Sequence, residues 1–271
     1  MQQAQARRLL AANVCGASGQ YGLVIDAGSS GTRLRIYCWQ PVGWGTLPKI
    51  SDVLQHDSDG LDSILRRRPG LSEFVHSPEL AVAQVLSLVA EARQWVPDNR
   101  CTQSPLKCPY VHAMSMSMCQ PTRPTCHSSL APHLPTSRAA SALLFVKATA
   151  GLRLLPVLQA ELLLEAVGSG LSNRTRCPFS FVDARVISGE EEALFGWLSA
   201  NVLLGRLGRT SAAHSDTVAW LDLGGASAQL AHALMPGSST SEESAARVLA
   251  LASSHVRLVL RSHLRFGCDE A

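Results

Sequence analysis

The sequence predicts an α/β protein built as two similar lobes that close on a phosphate. Two observations carry this reading: strand-like and helix-like segments alternate, and two strand-ending Asp–Gly–Ser loops lie far apart in the chain. The first reads Val24-Ile25-Asp26-Ala27-Gly28-Ser29-Ser30-Gly31-Thr32 and the second Leu221-Asp222-Leu223-Gly224-Gly225-Ala226-Ser227. Each offers a carboxylate for a hydrated cation, with backbone N–H groups and hydroxyls for phosphate oxygens. Singly, either loop also reads as a tight hairpin turn in which Asp bonds its own backbone. A related pair implies a cleft gripped from both sides.

The elements follow in chain order. Gly22 to Ala27 is a continuous apolar run, as in a buried strand. Thr32 to Trp39 alternates, with Leu34, Ile36 and Cys38 facing one way, and pairs with the first strand as a hairpin. Ser77-Pro78-Glu79 starts a helix by a serine cap and a proline in the first turn, and the helix runs to about Trp95 before Pro97. From about Asp98 to Ala140 the period is lost; prolines crowd in beside Met114-Ser115-Met116-Ser117-Met118, and an unstructured insertion is expected. Leu143 to Thr149 is a strand, Val157 to Val167 a helix, and Phe179 to Ile187 a strand. A helix is expected over Glu190 to Leu204. The second Asp-bearing strand, Thr217 to Leu223, follows, with Ala228 to Ala233 as its hairpin partner, and Ala245 to Arg265 is read as largely helical.

Composition narrows the function classes. With 271 residues, 46% hydrophobic and 17% charged, the chain can bury a substantial core. A formal charge of +3 leaves no nucleic-acid footprint, and Arg66-Arg67-Arg68 before Pro69-Gly70 reads as a solvated turn. No stretch reaches the roughly 18 apolar residues of a membrane span, and in Met1 to Gln20 the apolar stretch after Arg7 and Arg8 is too brief for a good signal peptide. Asn173-Arg174-Thr175, an N-glycosylation sequon, points the other way, towards the secretory pathway. Cys101, Cys108, Cys119 and Cys126, with His112 and His127, leave three readings open: a zinc module, disulfides, or the preferred unstructured insertion.

Hydrolysis of a phosphoanhydride needs neutralised phosphates, an aligned water and a base. The two glycine loops supply the first, with Asp26 and Asp222 facing one divalent cation through bound waters. Ser188-Gly189-Glu190-Glu191-Glu192 supplies a base: three glutamates at a helix start complement the macrodipole, and one of them can face the cleft instead. Lys147-Ala148-Thr149-Ala150-Gly151-Leu152-Arg153 brings Thr149 to a phosphate or water and Arg153 to anionic charge.

These four segments, in this order, resemble the nucleoside triphosphate diphosphohydrolase (apyrase) family. Asp26 through Arg33 matches its first signature region, Ala148 through Arg153 the second, Ser188 through Trp197 the third, and Leu221 through Gln229 the fourth. The resemblance implies an actin-like (RNase H-like) two-lobed α/β fold and divalent-metal-dependent hydrolysis of nucleoside di- and triphosphates. By position, it makes Glu192 the base, with Ser227 and Gln229 holding the water and Thr149 in the catalytic pocket. Ser29, Ser30, Gly31, Thr32 and Arg33 would cradle phosphate with Gly224, Gly225 and Ala226, while Asp26 and Asp222 hold the waters of Ca²⁺ or Mg²⁺. Gly31 stands where cell-surface members carry His, which places the chain nearer the Golgi, lysosomal and plant branches. It also implies a Golgi or lysosomal membrane setting, although no anchor is seen in the sequence.

The expected organisation is an N-terminal extension over 1–20, a first lobe over 21–185 interrupted by 98–140, and the start of a second lobe over 186–271. The family's fifth signature region and closing helix are not matched, so weak or no turnover is expected of these residues alone. Two alternatives remain: a catalytically silent nucleotide- or phosphate-binding chain, and an exopolyphosphatase-like hydrolase.

Overall fold

The computed structural model describes residues 2–16, 18–43, 47–54, 65–97, 138–207, 216–235, 239–251 and 254–269. The Cys101–Cys126 cluster, and with it the zinc reading, lies outside them. The chain opens with a helix, α1 (Gln2–Cys15), which is tied to the first sheet. Ala11 is fully buried, Tyr21 Oη donates to its carbonyl at 3.3 Å, and a disulfide joins Cys15 to Cys38.

Strands β1 (Gln20–Ala27) and β2 (Thr32–Trp39) form the expected hairpin, with Asp26 opposite Arg33. Two short strands, β3 (Ile50–Asp52) and β4 (Leu65–Arg67), pair with β2. Helix α2 (Pro78–Ala92) begins where Pro78 predicts, but the Ser77 side chain makes no capping hydrogen bond. The end of the expected insertion is ordered into a helical turn, α3 (Arg138–Ser141). Beyond it lie β5 (Leu143–Ala148), the turn of helix α4 (Ala150–Arg153), α5 (Val157–Ser172) and β6 (Ser180–Val186). The first sheet runs β3-β2-β1-β5-β6, with β1, β5 and β6 parallel. One of its faces carries the main core: Leu23, Ile25, Leu34, Ile36, Leu144 and Val146 pack under α2 and α5. The alternation of β2 turns Arg33, Arg35, Tyr37 and Trp39 to the other face.

Helix α6 (Gly189–Leu203) then starts a second core. Strands β7 (Trp220–Leu223) and β8 (Ser227–Ala233) pair antiparallel as expected, and a short helix, α7 (Thr240–Ala245), leads to β9 (Arg247–Leu251) and β10 (Ser254–Leu264). The second sheet runs β7-β8-β10-β9. Ala193 and Trp197 of α6 pack on Ala231, Ala233, Val256, Leu258 and Leu260.

The helix expected over 245–265 is therefore corrected to a strand pair. Val256, Leu258 and Leu260 are buried on one face while His255, Arg257 and Arg261 are exposed and only Val259 is buried on the other, a period of two rather than 3.6. The β-branched valines at 248, 256 and 259 favour the same outcome.

Candidate active site

Parallel strands bring their C-terminal ends to one edge, and in open α/β sheets ligands bind beyond that edge. Here β1 delivers Asp26 there, β5 leads to Thr149, and β6 leads through Ile187 to the start of α6. The second sheet faces this edge, with Trp220 and Asp222 of β7 turned towards it. The result is a cavity of about 540 Å³ whose lining includes Asp26, Arg33, Thr149, Glu192, Trp220 and Asp222.

The two glycine loops meet across it. A Cβ on Gly225 would fall 2.5 Å from Ser29 Oγ, so the two loops seat together only because that position lacks a side chain; Gly151 of the helical turn α4 meets the first loop as closely, its Cβ falling 2.8 Å from Ser29 Cα. Behind the second loop, the chain after β10 returns along it. Arg265 N donates to Ala226 O (2.8 Å), Cys268 N to Gly224 O (2.9 Å) and Asp269 N to Gly225 O (2.8 Å).

The three glutamates have separate partners. Glu190 lies 3.6 Å from Arg247 at the surface. Glu191 completes a capping box: Ser188 Oγ accepts from Glu191 N at 3.0 Å, and Glu191 Oε2 accepts from Ser188 N at 2.8 Å. Arg185 also donates to both oxygens of Glu191, and chiefly this bonding holds its carboxyl below the usual glutamate range. Glu192 alone turns into the cavity, with its side chain 18% exposed. Burial pushes its pKa above the ordinary value against the opposing Arg153, and the charges of Asp26 and Asp222 add to the rise.

Arg153 donates from Nη2 to Glu192 Oε2 at 2.7 Å and to Ser227 Oγ at 3.2 Å. Ser227 Oγ also accepts from Gln229 Nε2 at 2.5 Å, while the buried Gln229 Oε1 has no partner among the described residues. Glu192, Ser227 and Gln229 thus join one network. Asp26 is open to the cleft on one side yet enclosed by protein on the others. That enclosure raises its pKa, Asp222 raises it further, and Arg33 at 3.3 Å works against both.

The other expected residues are less uniform. Ser30 is exposed at the loop tip, and a Cβ on Gly31 would sit 2.8 Å from Arg67 O. Thr32 faces the core side of β2, with a buried hydroxyl that has no partner among the described residues. Thr149 Oγ1 makes a long 3.5 Å contact to Ala27 O, and Ala226 is buried. Sequence reasoning passed over Lys147, Arg35, Tyr37 and Asp52, which also line the cavity. Lys147 is paired with Asp183 and Arg35 with Asp52, each at 2.7 Å. The alternation that put Leu34 and Ile36 in the core was the available sign for Arg35 and Tyr37.

Among the described residues, no three His, Cys, Asp or Glu side chains cluster as a ready-made metal cage. Two hard carboxylates facing a third negative group suit a cation that keeps most of its water and takes further oxygens from phosphate. Asp26 and Asp222 offer oxygen donors of the kind such a hard cation would take.

Comparison with known proteins identifies a family. Residues 13–115 and 125–271 match the GDA1/CD39 (nucleoside phosphatase) family. The chain is 27% identical over 257 residues to probable apyrase 2 of Oryza sativa subsp. japonica, covering 92% of this chain and 44% of that protein. It is 30% identical over 261 residues to ectonucleoside triphosphate diphosphohydrolase 2 of Homo sapiens, covering 93% and 42% respectively. The chain thus spans less than half the length of these curated relatives. A crystal structure of nucleoside triphosphate hydrolases from Neospora caninum superposes with a TM-score of 0.50 at 16% identity, over 98% of this chain and 49% of that one. The α/β fold of the part that superposes is shared.

Proposed function

We propose, because the chain belongs to the GDA1/CD39 (nucleoside phosphatase) family, that it hydrolyses the terminal phosphoanhydride of nucleoside di- and triphosphates. The observation that carries this reading is Glu192, the one glutamate of three that enters the cavity shared with Asp26 and Asp222. A raised pKa makes its carboxylate a better proton acceptor than a solvated glutamate. Ser227 and Gln229 stand beside it to hold a water, and Gln229 Oε1 is an acceptor still to be filled.

In the proposed reaction the water oxygen bonds to the terminal phosphorus as its proton passes to Glu192. The bridging P–O bond breaks and its electron pair leaves with the nucleotide, so the products are inorganic phosphate and the shortened nucleotide. Amides and hydroxyls of the Ser29–Gly31 and Gly224–Ala226 loops hold the phosphate oxygens, with Thr149 and Arg33 close by. Ca²⁺ or Mg²⁺, when bound by Asp26 and Asp222, supplies charge neutralisation on those oxygens.

A secretory-pathway setting accords with the Cys15–Cys38 disulfide, since such bonds persist in oxidising compartments. Asn173 is exposed at the end of α5, and its Oδ1 accepts from Thr175 N and Oγ1, leaving the amide nitrogen outward for a glycan. No described helix is long and apolar enough to cross a membrane.

Phosphate release from UDP, GDP and ATP with Ca²⁺ or Mg²⁺ tests the reaction. Turnover should require the cation and vanish in Glu192→Gln; turnover indifferent to that change sinks the mechanism. A second reading, a chain that binds nucleotide without turning it over, draws on the outer face of the second sheet, which no described residue covers at Leu221 (75% exposed) and Leu223 (61%). Calorimetric binding of a non-hydrolysable nucleotide, with no phosphate release from ATP, would select it.

A further inference from the structure

We propose that Arg153 is a positioning residue that assigns opposite hydrogen-bonding roles to Glu192 and Ser227 across the cleft. The proposal rests on the hydrolytic reading above and deepens it. Arg153 ends α4, which follows the first-sheet strand β5. Its two side-chain partners belong to the other core: Glu192 lies in the first turn of α6, and Ser227 opens β8. The side chain is only 13% exposed.

The planar fork is fixed at both ends. Nη1 donates to the backbone carbonyl of Ile187 at 2.9 Å, and Nη2 donates to Glu192 Oε2 and Ser227 Oγ. A guanidinium held by a main-chain oxygen on one side cannot swing without losing that bond, which is why Arg suits a rigid two-pronged contact better than Lys. With Oε2 of Glu192 taken, Oε1 is the oxygen left to accept a proton.

Ser227 is placed oppositely. Its oxygen accepts from Arg153 Nη2 and from Gln229 Nε2, which uses both acceptor positions of a hydroxyl. Its own hydrogen then points away from both donors, so towards a water Ser227 can only donate. Glu192 accepts from that water and Ser227 donates to it. The competing arrangement, in which the serine takes the water's proton and turns its lone pair off the phosphorus, is removed by the arginine.

The test uses the 271-residue chain as wild type, Glu192→Gln, Arg153→Gln and Arg153→Lys. Carboxyl-¹³C-labelled glutamate is followed by NMR against pH, and the Glu192 resonance is identified by its loss in Glu192→Gln. Among the described residues, three charged groups face Glu192: Arg153 on α4, Asp26 on β1 and Asp222 on β7. Without the arginine only the two aspartates remain, so in Arg153→Gln the Glu192 carboxyl should titrate at higher pH than in wild type. Arg153→Lys keeps the charge without the fork and should fall between them. In the hydrolysis assay kcat should drop about 10- to 100-fold in Arg153→Gln with KM within about threefold, and the acid limb should move with the NMR titration. A Glu192 titration unmoved in both arginine variants, at native near-ultraviolet dichroism, overturns the proposal. A moved titration in a wild-type chain that turns over no nucleotide upholds the contact and overturns the hydrolytic reading instead. If Arg153→Gln fails to fold, Arg153→Lys carries the same comparison.

Discussion

Replacing Glu191 by alanine removes the reciprocal half of the α6 capping box and the double contact with Arg185, and leaves Glu192 in place. The hydrogen bond from Ser188 N is 2.8 Å and contributes about 1 kcal/mol net. The Arg185 pair is part exposed, 41% and 36% for the two side chains, so screening limits it to about 0.2–1 kcal/mol. Alanine's better helix propensity returns a few tenths of a kcal/mol. The expected loss is about 1–1.5 kcal/mol at pH 7, or roughly 2–6 °C in Tm for a chain of this size. Because the folded pKa of Glu191 is depressed, its contribution is complete above the unfolded value and fades as pH falls through the folded one. The gap between wild type and variant should therefore close in acid.

Glu192→Gln should behave in the opposite way. Its folded pKa is raised, so between the unfolded and folded values the native state holds the extra proton and stability falls as pH rises. A neutral side chain there should leave stability at pH 7 unchanged or slightly higher while abolishing turnover. Urea unfolding by tryptophan fluorescence, alongside phosphate release relative to wild type, separates the two residues. An unmoved urea midpoint in Glu191→Ala, or turnover lost as fully as in Glu192→Gln, would refute the division of labour.

Three further outcomes follow from other parts of the molecule. Cys15→Ser with Cys38→Ser opens a loop of sequence separation 23, and should lower unfolding stability by about 3 kcal/mol in urea titrations, with a reducing agent doing the same to wild type. Gly225→Ala brings a methyl against the Asp269 carboxylate and 2.5 Å from Ser29 Oγ; nucleotide affinity by calorimetry should weaken at least about tenfold, roughly 1.4 kcal/mol, as the loops part. Secreted from a glycosylating host, the chain should shift in gel mobility on glycosidase treatment, and Asn173→Gln should remove that shift.

Much of this was legible in the chain because local chemistry and final structure agree. The hairpin over Asp26 formed with the expected β2 limits, since alternation and a Gly–Ser turn both demand it. The 245–265 segment misled because short runs such as Val248-Leu249-Ala250-Leu251 fit either period, and only pairing with β8 decides between them. Helix α1 has only a weak apolar period, and what holds it comes with the fold: the Cys15–Cys38 disulfide, Ala11 with Leu10 and Val14 against the first core, and Arg7 over the Trp95 ring. Three adjacent glutamates cannot be told apart in one dimension. Arg153, Arg185 and Arg247 distinguish them only after folding brings in three separate elements.

The return of residues 265–269 along the second glycine loop has a consequence for how an anion meets that loop. Three successive carbonyl oxygens, at Gly224, Gly225 and Ala226, are each occupied by an N–H from this stretch. A peptide whose oxygen is engaged from behind presents its hydrogen forward, so an approaching phosphate is spared the repulsion of bare carbonyl dipoles. Substitutions at Arg265, Gly267 or Asp269 would disturb that polarity from a place with no chemistry of its own. In a mutant survey they would pass for weakened substrate contacts, although what they loosen is the backing that aims the loop.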